Sequence, residues 1–168
     1  MTRWRRFLVA AVGALTVVGA GTVTASAEGR ALIEFESMTP VTGSAVGAVN
    51  DRGIKGGGLP WAINEGSGEV DRHGNLEVEV QGLVIPVPPL NGKNPIPFFS
   101  ATLSCLTPHG VVNVTTGPFP ATVPGGDSTI ETRVKLPHPC KSPQVFVGFT
   151  TPTGAFVWFA RSNAEDDD

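Results

Sequence analysis

Two cysteines and two histidines occur as two short pairs that could do chemistry together. His109 follows Cys105 by four positions, and His138 precedes Cys140 by two. Two thiolates and two imidazoles form a donor set that zinc or copper accepts in tetrahedral geometry. The same cysteines could instead be oxidised to a disulfide, which would leave no thiolate for a metal. The spacings C-x3-H and H-x-C match no standard zinc finger, so the metal site is the alternative to a disulfide.

The N-terminal segment bears on the choice between a metal site and a disulfide, because it indicates the cellular compartment in which the protein is found. M-T-R-W-R-R carries three arginines, residues 7–20 are apolar, and T-V-T-A-S-A ends in small residues. This pattern predicts a cleaved signal peptide over residues 1–27, with Glu28 as the mature N-terminus. The apolar run is short for a membrane span of about 20 residues, so we expect a secreted, extracellular protein without membrane attachment after cleavage. Outside the cell, Cys105 and Cys140 are expected to form a disulfide.

The charge of the mature chain argues against nucleic acid as a partner. Residues 28–168 carry nine Lys and Arg against fifteen Asp and Glu. Four of the acids lie in residues 165–168, so 164–168 is predicted to be a disordered acidic tail. The remaining body is nearly neutral and has no basic field that would attract nucleic acid or an anionic membrane.

No sequence motif places a catalytic group. The chain lacks the G-x-S-x-G elbow and the H-E-x-x-H zinc motif. Glu77 and Glu79 are two positions apart, but in a predicted strand this spacing puts both on one solvated face. We therefore predict no catalytic residue, cofactor or metal, and we keep an unrecognised extracellular hydrolase as an alternative function.

Hydrophobic residues alternate with polar ones along most of the mature chain. Clear examples are residues 31–35, 75–81, 99–105, 112–114 and 130–136. Alternation with period two predicts half-buried strands, and the turns D-R-H-G-N, T-P-H-G and T-P-T-G join them closely. The histidine of D-R-H-G-N, His73, is expected to be solvated. Eight or nine short strands predict one domain over 28–163, an all-β, two-sheet antiparallel β-sandwich with immunoglobulin-like architecture. No tryptophan lies between the cysteines, so a true immunoglobulin domain is not predicted.

The stretch G-G-G-L-P-W at residues 56–61 raises the question of a phosphate-binding loop. A P-loop needs Lys and Ser or Thr after its glycines, whereas Lys55 precedes them here. A structural corner fits better, because glycines permit close backbone approach and Trp61 can anchor the next segment on the core. A loop that presents Trp61 to a ligand is the functional alternative.

The last two predicted strands are apolar on both faces, which a two-layer sandwich does not require. Phe146 and Trp158 stand out in Q-V-F-V-G-F and A-F-V-W-F-A. We expect either the proline-rich surface loop 86–97 or the G-G-G-L-P-W segment to cover the second face. If the face is exposed, Phe146 and Trp158 form an apolar patch that could contact a protein or glycan partner.

Several motifs together resemble a family of small secreted bacterial proteins of unknown function. They are G-G-G-L-P-W, G-N-L-E-V-E-V-Q-G-L-V-I, N-P-I-P-F-F-S-A-T-L-S-C-L, T-G-P-F-P-A, L-P-H-P-C-K-S-P and W-F-A, within residues 54–160. The resemblance implies that Cys105 and Cys140 belong to the shared pattern, and it implies no activity.

These observations favour a secreted, non-enzymatic module that binds a partner or serves a structural role at the cell surface. The predicted ligand contacts are Trp61, Phe146 and Trp158. The alternatives are a metal-binding protein that uses the Cys and His residues, and the hydrolase mentioned above.

Overall fold

The computed structural model describes residues 31–163. The predicted signal peptide 1–27 and the predicted tail 164–168 lie outside the described residues. Within the described range the strands are β1 (Ala31–Phe35), β2 (Met38–Pro40), β3 (Lys55–Gly56), β4 (Glu65–Asp71), β5 (Asn75–Gln81), β6 (Phe98–Thr107), β7 (Gly110–Thr115), β8 (Phe119–Pro120), β9 (Ser128–Arg133), β10 (Lys141–Thr150) and β11 (Phe156–Ser162). One 3-10 turn spans Gly43–Ala45. No helix of residues 31–163 has the length and apolar character needed to cross a membrane.

The strands form two sheets that pack against each other. The smaller sheet has the order β1-β4-β5-β9, and the larger sheet has the order β2-β11-β10-β6-β7. All pairs within these two orders are antiparallel; β3 adds to β11 in parallel, and β8 adds to β6. The prediction of an all-β, two-sheet antiparallel β-sandwich is confirmed.

Most of the alternating strands bury their apolar side as predicted, but β7 does not: Val112 is exposed and Val114 is only half-buried, because β7 is the edge strand of the larger sheet. Along β5, Leu76, Val78 and Val80 are buried, while Glu77 and Glu79 are exposed. The three predicted turns each close an antiparallel hairpin, between β4 and β5, β6 and β7, and β10 and β11. The buried side chains of both sheets belong to one hydrophobic cluster, which is the core expected of a single sandwich.

The two cysteines form the predicted disulfide. Cys105 lies in β6, Cys140 immediately precedes β10, and these two strands are neighbours in the larger sheet. The bridge therefore ties two strands of one sheet, whereas the bridge of antibody domains joins the two sheets. The resemblance to immunoglobulin domains extends to the two-layer architecture and not to the position of the disulfide.

Residues 42–54 cover the outer face of the larger sheet, and our expectation that loop 86–97 or G-G-G-L-P-W would do so is wrong. Arg52, only 8% exposed, donates hydrogen bonds from its guanidinium to Ser104 Oγ at 3.4 Å and to the Ser142 carbonyl at 2.8 Å. Ile54 is buried beside it in the chain. These contacts place a segment with little hydrophobic periodicity over the outer face of β6 and β10. Residues 42–50 also line a depression together with Trp158 of β11.

Loop 86–97 is held elsewhere by its own polar groups. The buried Asn94 accepts a hydrogen bond from the Ile96 N–H and donates to the Thr122 carbonyl, and its main-chain N–H donates to the Pro124 carbonyl. These hydrogen bonds hold the loop against residues 122–124, which precede β9, and they satisfy polar groups that would otherwise be buried without a hydrogen-bond partner.

G-G-G-L-P-W forms the predicted corner. A Cβ on Gly56 would collide with the Ala45 carbonyl, and a Cβ on Gly57 would come within 2.8 Å of Trp61 Nε1. Glycine is therefore required at these two positions by close approach. Trp61 is buried and stacks on Phe159, with ring centroids 3.9 Å apart. The tryptophan thus anchors the corner inside the core.

A row of four glutamates crosses the outer face of the smaller sheet. The register pairs Glu34 with Glu69, Glu69 with Glu77, and Glu77 with Glu131, and all four are exposed. We call this set the glutamate row. Like charges directly opposite each other on a sheet destabilise it, so the row lowers the stability of the fold.

Neutralising the centre of the row should stabilise the protein. We expect Glu77→Gln to raise the free energy of unfolding by about 0.2–1 kcal/mol, because Glu77 faces a carboxylate on both sides. Urea unfolding at low ionic strength measures the change, and 1 M salt should reduce it by screening. The matched control is Glu65→Gln, since Glu65 faces the neutral Gln81. Equal effects of the two variants, or an effect that salt leaves unchanged, would contradict this account.

Candidate functional site

The Cys and His residues do not form the metal site considered as an alternative. Both sulfurs are consumed by the disulfide, and His109 and His138 are exposed. Within residues 31–163, no group of three or more His, Cys, Asp or Glu side chains is placed to hold a metal ion. The disulfide removes the two thiolates on which the metal hypothesis depends.

The three predicted ligand contacts do not form an exposed apolar patch. Trp61 is 2% exposed, Phe146 is 0% exposed and Trp158 is 4% exposed. Trp61 packs against Phe99 and Phe159, while Phe146 and Trp158 pack edge to face with centroids 5.7 Å apart. Their burial corrects the patch hypothesis, because residues 42–54 shield the face on which Phe146 and Trp158 lie.

A different cluster converges at one end of the smaller sheet. Five basic side chains line a depression of about 480 Å³ there: Arg72, His73, Arg133, Lys135 and His138. The other two lining residues are Val134 and Leu136, so no carboxylate lines it. We call these five residues the basic end. All five are exposed, and within residues 31–163 none of them forms a salt bridge with a carboxylate.

Two segments distant in the chain build the basic end. Arg72 and His73 occupy the turn between β4 and β5. Arg133 is the last residue of β9, and Lys135 and His138 come after it in the chain. The β5–β9 register pairs Asn75 with Arg133, which places the turn beside the end of β9. The Arg133 Nε donates to the His73 carbonyl at 3.1 Å, which holds the two segments together.

The turn that carries Arg72 and His73 is fixed by Asp71. One carboxylate oxygen of Asp71 accepts from the main-chain N–H of His73 at 2.7 Å and of Asn75 at 2.9 Å, and the other accepts from Asn75 Nδ2 at 2.6 Å. Desolvation raises the pKa of Asp71, but the hydrogen bonds from Asn75 and His73 outweigh it and hold the pKa below the usual value for aspartate. The carboxylate therefore stays ionised and committed to the turn at neutral pH.

The basic end can bind an anion, and sequence reasoning missed it. Arg and Lys side chains that no carboxylate neutralises attract phosphate, sulfate or carboxylate groups. The net charge of the chain conceals the cluster, since the five residues come from two segments about sixty positions apart. Pairing the predicted strand that follows the D-R-H-G-N turn with the predicted strand that contains Arg133 would have brought these basic residues together and indicated the cluster.

No family model, no curated protein and no solved structure matches the chain.

Proposed function

We propose that the protein is an extracellular, non-enzymatic binding module whose basic end holds an anionic polysaccharide at the cell surface. The observation that carries the proposal is the convergence of five basic side chains around one depression with no carboxylate in its lining. The predicted signal peptide supports an extracellular site of action, and the disulfide fits an oxidising compartment.

The remaining surface favours a polysaccharide over nucleic acid. The mature chain is acidic as a whole, and the glutamate row lies on the same sheet as the basic end. A densely charged duplex would meet that row as it extends beyond the basic end, and the repulsion would weaken binding. A polyuronate has a lower charge density, so its carboxylates can bind locally.

Binding to immobilised polygalacturonate tests the proposal. We expect Arg72→Glu combined with Lys135→Glu to weaken binding at least about tenfold, or about 1.4 kcal/mol, because two attractive contacts become repulsive. Biolayer interferometry of the purified protein at low ionic strength measures the loss of affinity.

The control variant is Lys55→Glu combined with Lys93→Glu, which makes the same change in net charge away from the basic end. It should bind nearly as well as the wild type. If the control loses as much affinity, only net charge matters and the assigned site is wrong. Equal binding to neutral dextran, or tighter binding to duplex DNA than to polygalacturonate, would overturn the ligand class.

A further inference from the structure

β7 forms an open edge of the larger sheet. It pairs with β6 on one side, and in residues 31–163 no strand pairs with its other side. The other terminal strands of the two sheets carry a charge or a proline: Glu34 in β1, Glu131 and Arg133 in β9, and Pro40 in the three-residue β2. β7 reads G-V-V-N-V-T and has neither. Natural proteins usually block sheet edges with such residues, because an open, uncharged edge pairs readily with another strand.

Three residues of β7 direct their main-chain N–H and C=O groups to the open side. At the end of the β6–β7 ladder, the Thr116 N–H donates to the Ala101 carbonyl at 2.8 Å. In an antiparallel pair every second residue bonds to the neighbouring strand. Counting back from Thr116, the residues that alternate with those bonded to β6 are Val111, Asn113 and Thr115.

The polar side chains of β7 do not cover this edge, because each is bonded within its own chain. Asn113 Nδ2 donates to the Arg52 carbonyl at 3.0 Å, and the hydroxyls of Thr115 and Thr102 lie 2.8 Å apart. The main-chain groups on the open side are therefore accessible to a second strand.

Apolar side chains beside the edge are exposed as well. Val111 and Val112 follow each other in β7 and so lie on opposite faces of the sheet, and Leu106 of β6 is directly opposite Val111. All three are exposed. A strand laid against β7 would bury part of this apolar surface through cross-strand contacts.

The sequence of β7 fits an antiparallel copy of itself. When Asn113 of two copies lies on a twofold axis, Val111 of each copy meets Thr115 of the other. This register pairs all the N–H and C=O groups that the three residues direct to the open side. It also places Val112 opposite Val114 of the second copy, so no charged side chain meets another.

Charge favours β7 over the rest of the surface as the contact between two copies. The mature chain carries nine basic and fifteen acidic residues, so two copies repel each other over most of their surface. Pairing β1 with its own copy would bring exposed glutamates of both chains together. The uncharged β7 avoids this repulsion.

We propose that the protein forms a symmetric dimer through β7, with Asn113 on the twofold axis, so that the larger sheets of the two copies form one continuous sheet. The contact is confined to one strand and its flanking side chains, so the dissociation constant should be on the order of 100 µM. The inference does not rest on the proposed function, because the dimer needs no polysaccharide and the basic end lies on the other sheet.

Sedimentation equilibrium of the wild-type mature protein tests the dimer. We expect the average mass to rise from that of a monomer towards that of a dimer between about 10 µM and about 1 mM protein. Salt at about 1 M should leave the association in place, because no charge takes part in it. A protein that is still monomeric at about 1 mM overturns the proposal. Association that salt abolishes also overturns it, since the basic end and the glutamate row would then hold the copies together.

Charge substitutions at the two paired positions test the register. Val111→Lys combined with Thr115→Lys sets lysines directly opposite each other at two places, so the dimer should weaken at least about tenfold. Val111→Glu combined with Thr115→Glu should have the same effect. An equimolar mixture of the two variants should dimerise again, because each lysine then meets a glutamate. If the folded variants remain monomeric when mixed, the proposed pairing is wrong.

The matched control is Val49→Lys combined with Thr129→Lys, which makes the same residue changes at exposed positions outside β7. It should dimerise like the wild type, and an equal loss would show that net charge alone matters.

Hydrogen–deuterium exchange of the wild type tests the contact even if the charged variants do not fold. We expect the N–H groups of Val111, Asn113 and Thr115 to exchange more slowly at high protein concentration, while the amides of β9 are unaffected. Exchange in β7 that does not depend on concentration would overturn the proposal.

Discussion

We expect replacement of Cys105 and Cys140 together with alanine to lower the free energy of unfolding by about 4 kcal/mol. The disulfide closes a loop with a sequence separation of 35, and the loss follows from the chain entropy that the open loop regains in the unfolded state. The native sheet should persist, because β6 and β10 are also joined along most of their length by main-chain pairing. Equilibrium unfolding in urea measures the difference.

Reduction of the wild-type protein provides the control for this prediction. A reducing agent should lower the stability of the wild type to that of the double variant and leave the variant unchanged. Equal stability of the oxidised wild type and the double variant would contradict the prediction. A loss far above 4 kcal/mol in the variant, but not in the reduced wild type, would indicate that the alanines leave a cavity at the fully buried Cys105.

We expect replacement of Phe146 with alanine to lower the free energy of unfolding by about 3–5 kcal/mol. Phe146 is fully buried on the outer face of the larger sheet, where it packs against the edge of Trp158 under residues 42–54. Truncation would remove apolar contacts and leave a cavity that the surrounding strands cannot fill. Chemical denaturation of the purified variant measures the effect.

The matched control is Phe98→Ala, because Phe98 is 48% exposed on β6. We expect it to cost about 1 kcal/mol or less, as for surface substitutions generally. If Phe146→Ala costs no more than Phe98→Ala, then residues 42–54 do not cover this face in solution, and the exposed patch that the sequence analysis kept as the alternative would return as a candidate interface.

The sequence predicted the strands whose alternation is long enough to show a period. The seven residues of β5 alternate without exception, and its register with β4 and β9 follows from burying one side. By contrast β2, β3 and β8 are two or three residues long, too short for alternation to be recognised. They form because neighbouring strands offer unpaired backbone groups at the sheet edges.

The basic end and the cover of the larger sheet depended on contacts that no local pattern encodes. The basic end joins Arg72 and His73 to Lys135 and His138 only because β5 pairs with β9. The cover depends on residues 42–54, whose small and polar side chains give no hydrophobic period, and on the hydrogen bonds that Arg52 donates to Ser104 and Ser142. Cross-strand register therefore decides the first feature, and loop placement decides the second.

By itself the sequence determined the fold class, the hairpins and the disulfide, because alternation, turn residues and an isolated pair of cysteines are local or countable signals. It also identified Phe146 and Trp158 as apolar on a face that a two-layer sandwich leaves outside. Only the tertiary structure decided that residues 42–54 cover this face, and that charges distant in the chain gather into a basic end and a glutamate row. The physical reason is that burial and charge clustering are set by which strands become neighbours, and long-range pairing depends on the energy of the whole fold.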